Sequence, residues 1–200
     1  MLGALKPPGR RAAAAPAGVT LVELMVTLAI VAVLVAIALP SMRDFVARKR
    51  LEGIAQELAT DLRLLKSHQI QNRPTTGTAI SFGSNDTKTC YVVYVRGNNV
   101  VNCNCGLADD VMCGPANAPG LRPAPIRQVN IPLSTGVTLT ASQARLAVGG
   151  LNGMPQFNET VLVSLTSSTA GEIRVSTNQT GVPLVCSVSG TFGAIQRCTP

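Results

Sequence analysis

The chain has 200 residues, with 46 % hydrophobic and 3 % aromatic content, no tryptophan and a formal net charge of +7. This length suits one globular domain plus an extended element, and the shortage of aromatics excludes a single large aromatic core. The charge does not mark a nucleic-acid face on the C-terminal part: residues 1–18 carry +3, 19–40 carry −1, 41–73 carry +3 and 74–200 only +2. The basicity is thus mostly N-terminal and juxtamembrane, where Lys and Arg report topology or anionic lipid.

In chain order, Lys6, Arg10 and Arg11 precede the apolar run Val19–Leu39, VTLVELMVTLAIVAVLVAIAL, which contains one charge. As a helix it would span roughly 31 Å at 1.5 Å per residue, the hydrocarbon thickness of a bilayer. The basic residues ahead of it predict a cytoplasmic N-terminus and an exported C-terminal domain. Gly18 lies directly before the run, Glu23 inside it, and Pro40 at its end. A carboxylate in a membrane normally has a partner.

The stretch Gly18–Pro40, GVTLVELMVTLAIVAVLVAIALP, closely resembles the type IV prepilin signature. The resemblance implies cleavage by a prepilin peptidase between Gly18 and Val19, methylation of the new Val19 amine, an assembly role for Glu23 and a helix kink at Pro40. Phenylalanine is usual at the first mature position, so Val19 is a mild departure. Glu23 can pair with the amine of a neighbouring subunit, and a subunit docked out of step would leave a buried charge alone. Two blander readings are an ordinary signal peptide, cut after Ala36-Ile37-Ala38, and a plain membrane anchor. The run is long for the first, and Glu23 would be out of place in it.

Residues 41–73 predict an amphipathic stalk helix. Leu51, Ile54, Ala55, Leu58, Leu62 and Leu65 fall at spacings of 3, 4 and 7, with Met42, Phe45 and Val46 above them. Glu52, Gln56, Glu57 and Asp61 are assigned to the polar side, and Pro74 ends the pattern. The whole helix from Val19 to Arg73 would be roughly 80 Å long. Gly53 marks a bend, a close contact or simple tolerance. His68, the single histidine, is assigned to an exposed face as a solvated residue.

From Thr75 the period changes to two. Strands are predicted at Thr78–Phe82, Cys90–Arg96, Asn99–Asn102, Ile126–Ile131, Val137–Thr140, Arg145–Val148, Val161–Thr166, Glu172–Ser176 and Pro183–Val188, with a hairpin turn at Arg96–Asn99. The expected fold class is α+β: a long N-terminal helix, transmembrane in its first half and amphipathic in its second, packed on an antiparallel β-sheet domain with disulfides. The expected domains are a leader 1–18, a transmembrane and assembly helix 19–40, a stalk 41–73 and a periplasmic β-rich domain 74–200.

All six cysteines lie in the last part of the chain, which reads as disulfides in an oxidising compartment. Cys186–Cys198 is the favoured pair, with Cys90, Cys103, Cys105 and Cys113 pairing among themselves in an unsettled way. Residues 103–125, rich in Cys, Gly and Pro, read as a surface loop held by those bonds. Their C-x-C-x7-C spacing does not match zinc knuckles, and the adjacent Asp109 and Asp110 lack calcium-loop spacing. No metal or cofactor is implied.

The segment Val26–Ile70 resembles the minor pilins of the FimT/GspH-like branch, subunits of type IV pili or type II secretion pseudopili. The resemblance implies a structural or priming subunit in the bacterial inner membrane, single-pass, which then enters a filament or pseudopilus. Its implied partners are other pilin or pseudopilin subunits, prepilin peptidase, the inner-membrane assembly platform and membrane lipid. DNA is a disfavoured partner. The Gly-Arg-x-Arg motif that DNA-binding relatives carry before a cysteine is replaced here by Gly181-Val182-Pro183-Leu184 and Gly193-Ala194-Ile195-Gln196, leaving Arg197 alone beside Cys198. Convergence of Arg122, Arg127, Arg145 and Arg174 would be needed instead. An anchored periplasmic enzyme is the remaining alternative, but no catalytic motif appears, and Asp109/Asp110, Glu159 and Glu172 form no recognisable dyad.

Overall fold

The computed structural model describes residues 18–72, 77–98, 102–109, 111–114, 123–151, 154–157, 161–177 and 180–199; the side chains of 38–41, 72, 149–151, 154–157 and 161 are outside the description. Residues 1–17 of the expected leader, Arg122, Asp110 and Glu159 therefore lie outside the described residues, as does the side chain of Pro40. The chain divides into two compact units, one ending at Ser41 and the other running from Met42 to Pro200. Helix α1, Leu21–Asn72, contributes to both.

In the first unit the apolar side chains from Leu21 to Ile37 are 50–74 % exposed on every side of the helix. A helix that is hydrophobic all round belongs in a membrane or in the core of an assembly. Among the described residues no single helix is long and apolar enough to cross a membrane. Leu21–Ile37 and Met42–Gln71 pass by length and composition only when taken together.

In the second unit α1 becomes one-sided. Leu51, Ala55, Leu58, Ala59, Leu62 and Leu65 are fully buried, and each buried leucine contributes about 1.5–3 kcal/mol. The predicted upper stripe does not join them: Met42, Phe45 and Val46 stay exposed. Gly53 has open space where a Cβ would stand, so no close contact explains it.

Among the described residues nine strands follow: β1 Thr78–Ser84, β2 Lys88–Val95, β3 Ala124–Pro132, β4 Val137–Ala141, β5 Arg145–Leu151, β6 Met154–Phe157, β7 Val161–Ser167, β8 Gly171–Thr177 and β9 Pro183–Ser189. They form two antiparallel sheets, in the orders β3-β2-β1-β5-β6 and β4-β7-β8-β9. The β1–β2 hairpin is set by Asn85, whose Oδ1 accepts from the backbone N–H groups of Thr87 and Lys88, each at 3.0 Å. The helical stripe, Ile80, Tyr91, Val93 and Leu146 of the first sheet, and Val163, Leu165, Ile173 and Val175 of the second share one core.

The expected strand Asn99–Asn102 lies mostly outside the described residues. Asn102 is not in a strand, and the predicted hairpin partner has no edge to join, because β2 is already paired with β1 and β3. Strand β6 was not predicted because Pro155 interrupts it. Proline is tolerated there because β6 is an edge strand.

The Cys-rich segment is not a plain surface loop. Cys103, Cys105, Met112 and Cys113 are buried against Ala79, Cys90, Val92, Tyr94 and Ala147, forming a second small core on the face of the first sheet opposite the helix. Three cysteine pairs are at bonding distance: Cys90–Cys105, Cys103–Cys113 and Cys186–Cys198. The first ties this lid to the centre of β2. At Gly83 a Cβ would stand 2.8 Å from Asn104 Oδ1 and 3.3 Å from Cys105 Sγ, so a side chain there would make the lid's Asn104 shift. The third pair pins the C-terminal tail to β9, where Ser187 N–H donates to Gln196 O at 2.8 Å and Cys198 N–H to Ser187 O at 2.9 Å. The tail thereby covers an edge that would otherwise be open to pairing.

Candidate functional site

The N-terminal site is built by a short extended lead-in and the first turn of α1. Gly18 and Val19 are exposed and precede the helix. A Cβ on Gly18 would meet nothing within 4 Å, so nothing within the described chain demands glycine there. Thr20 caps the helix: its Oγ1 accepts from Glu23 N–H at 3.2 Å. Thr20-Leu21-Val22-Glu23 has the spacing of a capping box, a signal readable in the sequence but missed there. The Glu23 carboxylate is exposed in the first turn, where the positive end of the helix dipole favours it. Among the described residues no cation forms an ion pair with it.

A capped, acidic helix start thus leads an exposed apolar helix, behind a glycine that no packing explains. Residues 15–39 match the family model of the prokaryotic N-terminal methylation motif. The chain carries the type IV prepilin and pseudopilin signal. No curated protein and no solved structure matches the chain. The signal marks a type IV pilin-like or pseudopilin precursor, of a generally structural class whose members are held in the inner membrane by the N-terminal helix and assemble with other pilin subunits after meeting a prepilin peptidase.

A second feature joins α1 to the first sheet. Asp61, assigned by sequence to the polar side, is only 1 % exposed. Tyr91 Oη donates to its Oδ2 at 2.8 Å, and Arg127 Nε stands 3.1 Å from the same oxygen. Arg127 also donates to Glu57 Oε1 at 2.5 Å. Burial pushes the Asp61 pKa above the ordinary carboxylate value and outweighs the Tyr91 bond and the Arg127 charge, which pull it down. Burial, followed by the bond to Asp61, pushes the Tyr91 phenol far up. The cluster clamps the stalk to β2 and β3.

Of the four arginines whose convergence DNA binding would need, the three that are described do not converge, and Arg122 lies outside the described residues. Arg127 faces the helix, whereas Arg145 lies on the opposite face of the same sheet, bonded to Asn102. Arg174 is on the second sheet beside Glu172, and Arg197 is exposed on the tail. His68 is half-buried rather than solvated. All six sulfurs are taken by the three disulfides, which leaves none for a thiolate metal site. A cavity of about 300 Å³, between Phe82 and Ser84 of β1 and Leu139 to Ala144, has no acidic, basic or histidine side chain in its lining.

Proposed function

We propose that this chain is a minor pilin or pseudopilin, a structural or priming subunit of a type IV pilus or type II secretion pseudopilus, of the FimT/GspH-like branch. Its precursor is cut between Gly18 and Val19 and methylated on Val19. Residues 19–40 hold it in the inner membrane as a single pass kinked at Pro40, with the N-terminus cytoplasmic and residues 74–200 periplasmic; the stalk 41–73 links the two. The match at residues 15–39 carries this reading, because it brackets a glycine with no packing role, a capped Glu23 and an apolar helix in need of cover. The disulfides fit export. The single stalk on a β-rich domain is consistent with the branch.

The reading is tested by blocking the cut. Gly18→Glu places a charged side chain where the peptidase would require glycine. In cells that express the peptidase, wild type should accumulate at the mass of residues 19–200 and the variant at the full-length mass. Equal masses for the two would contradict the assignment.

A further inference from the structure

Arg43, Arg48, Lys49 and Arg50 are all exposed on the part of α1 that precedes its first fully buried residue, Leu51. We propose that these four cations form a belt that binds the phosphate headgroups of anionic phospholipid around the helix where it leaves the bilayer. The proposal rests on the membrane reading of residues 19–40.

Placement round the axis carries the argument. At about 100° per residue, Arg48, Lys49 and Arg50 lie roughly 140°, 240° and 340° from Arg43. Nucleic acid or an acidic protein would meet a helix from one side and call for cations on one face. A headgroup layer meets a spanning helix from every side. Exposed apolar residues lie between the cations over the arc from Arg48 to Arg50: Met42, Phe45 and Val46 are 57, 55 and 46 % open, while the arc from Arg43 to Arg48 holds Asp44 and Ala47, the latter packed against the core. Apolar residues interleaved with cations suit the acyl–headgroup boundary, where Arg and Lys stems lie along apolar surface while their heads reach phosphate.

The belt begins four residues after Leu39 and ends at Arg50, roughly 17 Å along the helix axis from Leu39. Only one carboxylate, Asp44, lies inside it. Lys49 is shared with Glu52 at 2.8 Å, and Arg50 donates to Thr135 O at 3.2 Å. Arg43 and Arg48 have no ion pair among the described residues. On the exported side these cations oppose the positive-inside bias, so orientation does not account for them.

The test uses the full chain in bilayers of phosphatidylcholine with a minority of phosphatidylglycerol, at low salt. Spin-labelled phosphatidylglycerol and phosphatidylcholine report how many lipids of each kind the protein immobilises. Each cation near the headgroups should favour the anionic lipid about fivefold. The triple variant Arg43→Gln, Arg48→Gln, Lys49→Gln should therefore lower the preference at least about threefold, while the matched Arg43→Lys, Arg48→Lys variant retains it. The leader cations are common to all three chains and cancel in the comparison. An unchanged preference in the glutamine variant overturns the belt and leaves the membrane reading intact. No immobilised lipid of either kind overturns the membrane reading and the belt together.

Discussion

Stripping Asp61 of both partners, with Tyr91→Phe and Arg127→Ala together, is expected to destabilise the Met42–Pro200 unit by about 3 kcal/mol or more at pH 7, because a carboxylate out of contact with water is left uncompensated. Arg127→Ala alone should cost roughly 1–2 kcal/mol, since that guanidinium is 45 % exposed and water screens the pair. The pH dependence has a definite sign. The folded-state pKa of Asp61 is raised, so its contribution to stability is fully present below the unfolded value near 3.8 and is lost as pH rises through the folded one. Wild type should therefore lose stability relative to Asp61→Asn across that window. Removing the partners raises the folded pKa further, so the double variant's deficit should shrink on acidification. Urea denaturation of wild type, the double variant and Asp61→Asn at pH 3.5 and pH 7 checks this. A deficit of the same size at both pH values would show that Asp61 is not charged in its buried site.

Replacing Glu23 with alanine is expected to leave membrane insertion unchanged and to reduce incorporation into filaments by at least about tenfold. An amine at Val19 of a neighbouring subunit would lose its counter-charge in a low-dielectric helix bundle, at a cost of about 3–5 kcal/mol. Glu23→Gln keeps the side-chain length, and the cap made by Thr20 uses the backbone N–H of residue 23, so helix start and insertion should survive in both variants. The loss would then belong to the charge. The fraction of subunit in sheared filaments, compared with that in membranes, is the readout. Wild-type filament fractions for Glu23→Ala would remove the register role.

Much of this was legible in the sequence, because long periodic signals survive without context. The buried stripe from Leu51 to Leu65 followed from spacing alone, and eight of the nine strands coincide with predicted runs. Asp61 was misplaced because its polarity was weighed above its position: it lies three residues beyond Leu58 and four before Leu65, on the buried row itself. A carboxylate there requires a partner from the sheet, and Arg127 is 66 residues further along the chain. No local pattern joins them.

The lid was hidden for a related reason. β2 is buried from Thr89 to Tyr94 on both faces, which a sheet with one solvated side does not permit. Its unbroken Cys-Tyr-Val-Val-Tyr-Val run signalled that something covers the second face, and the Cys90–Cys105 bond shows what does. At the N-terminus, the motif was read from Gly18, Glu23 and the apolar run, whereas the Thr20 cap emerged only from the geometry.

The most direct test of the prepilin account is the mass and N-terminal sequence of the protein purified from its native membrane. The account predicts a chain that begins with N-methylated Val19. A chain beginning at Leu39, or an uncut Met1, would contradict it.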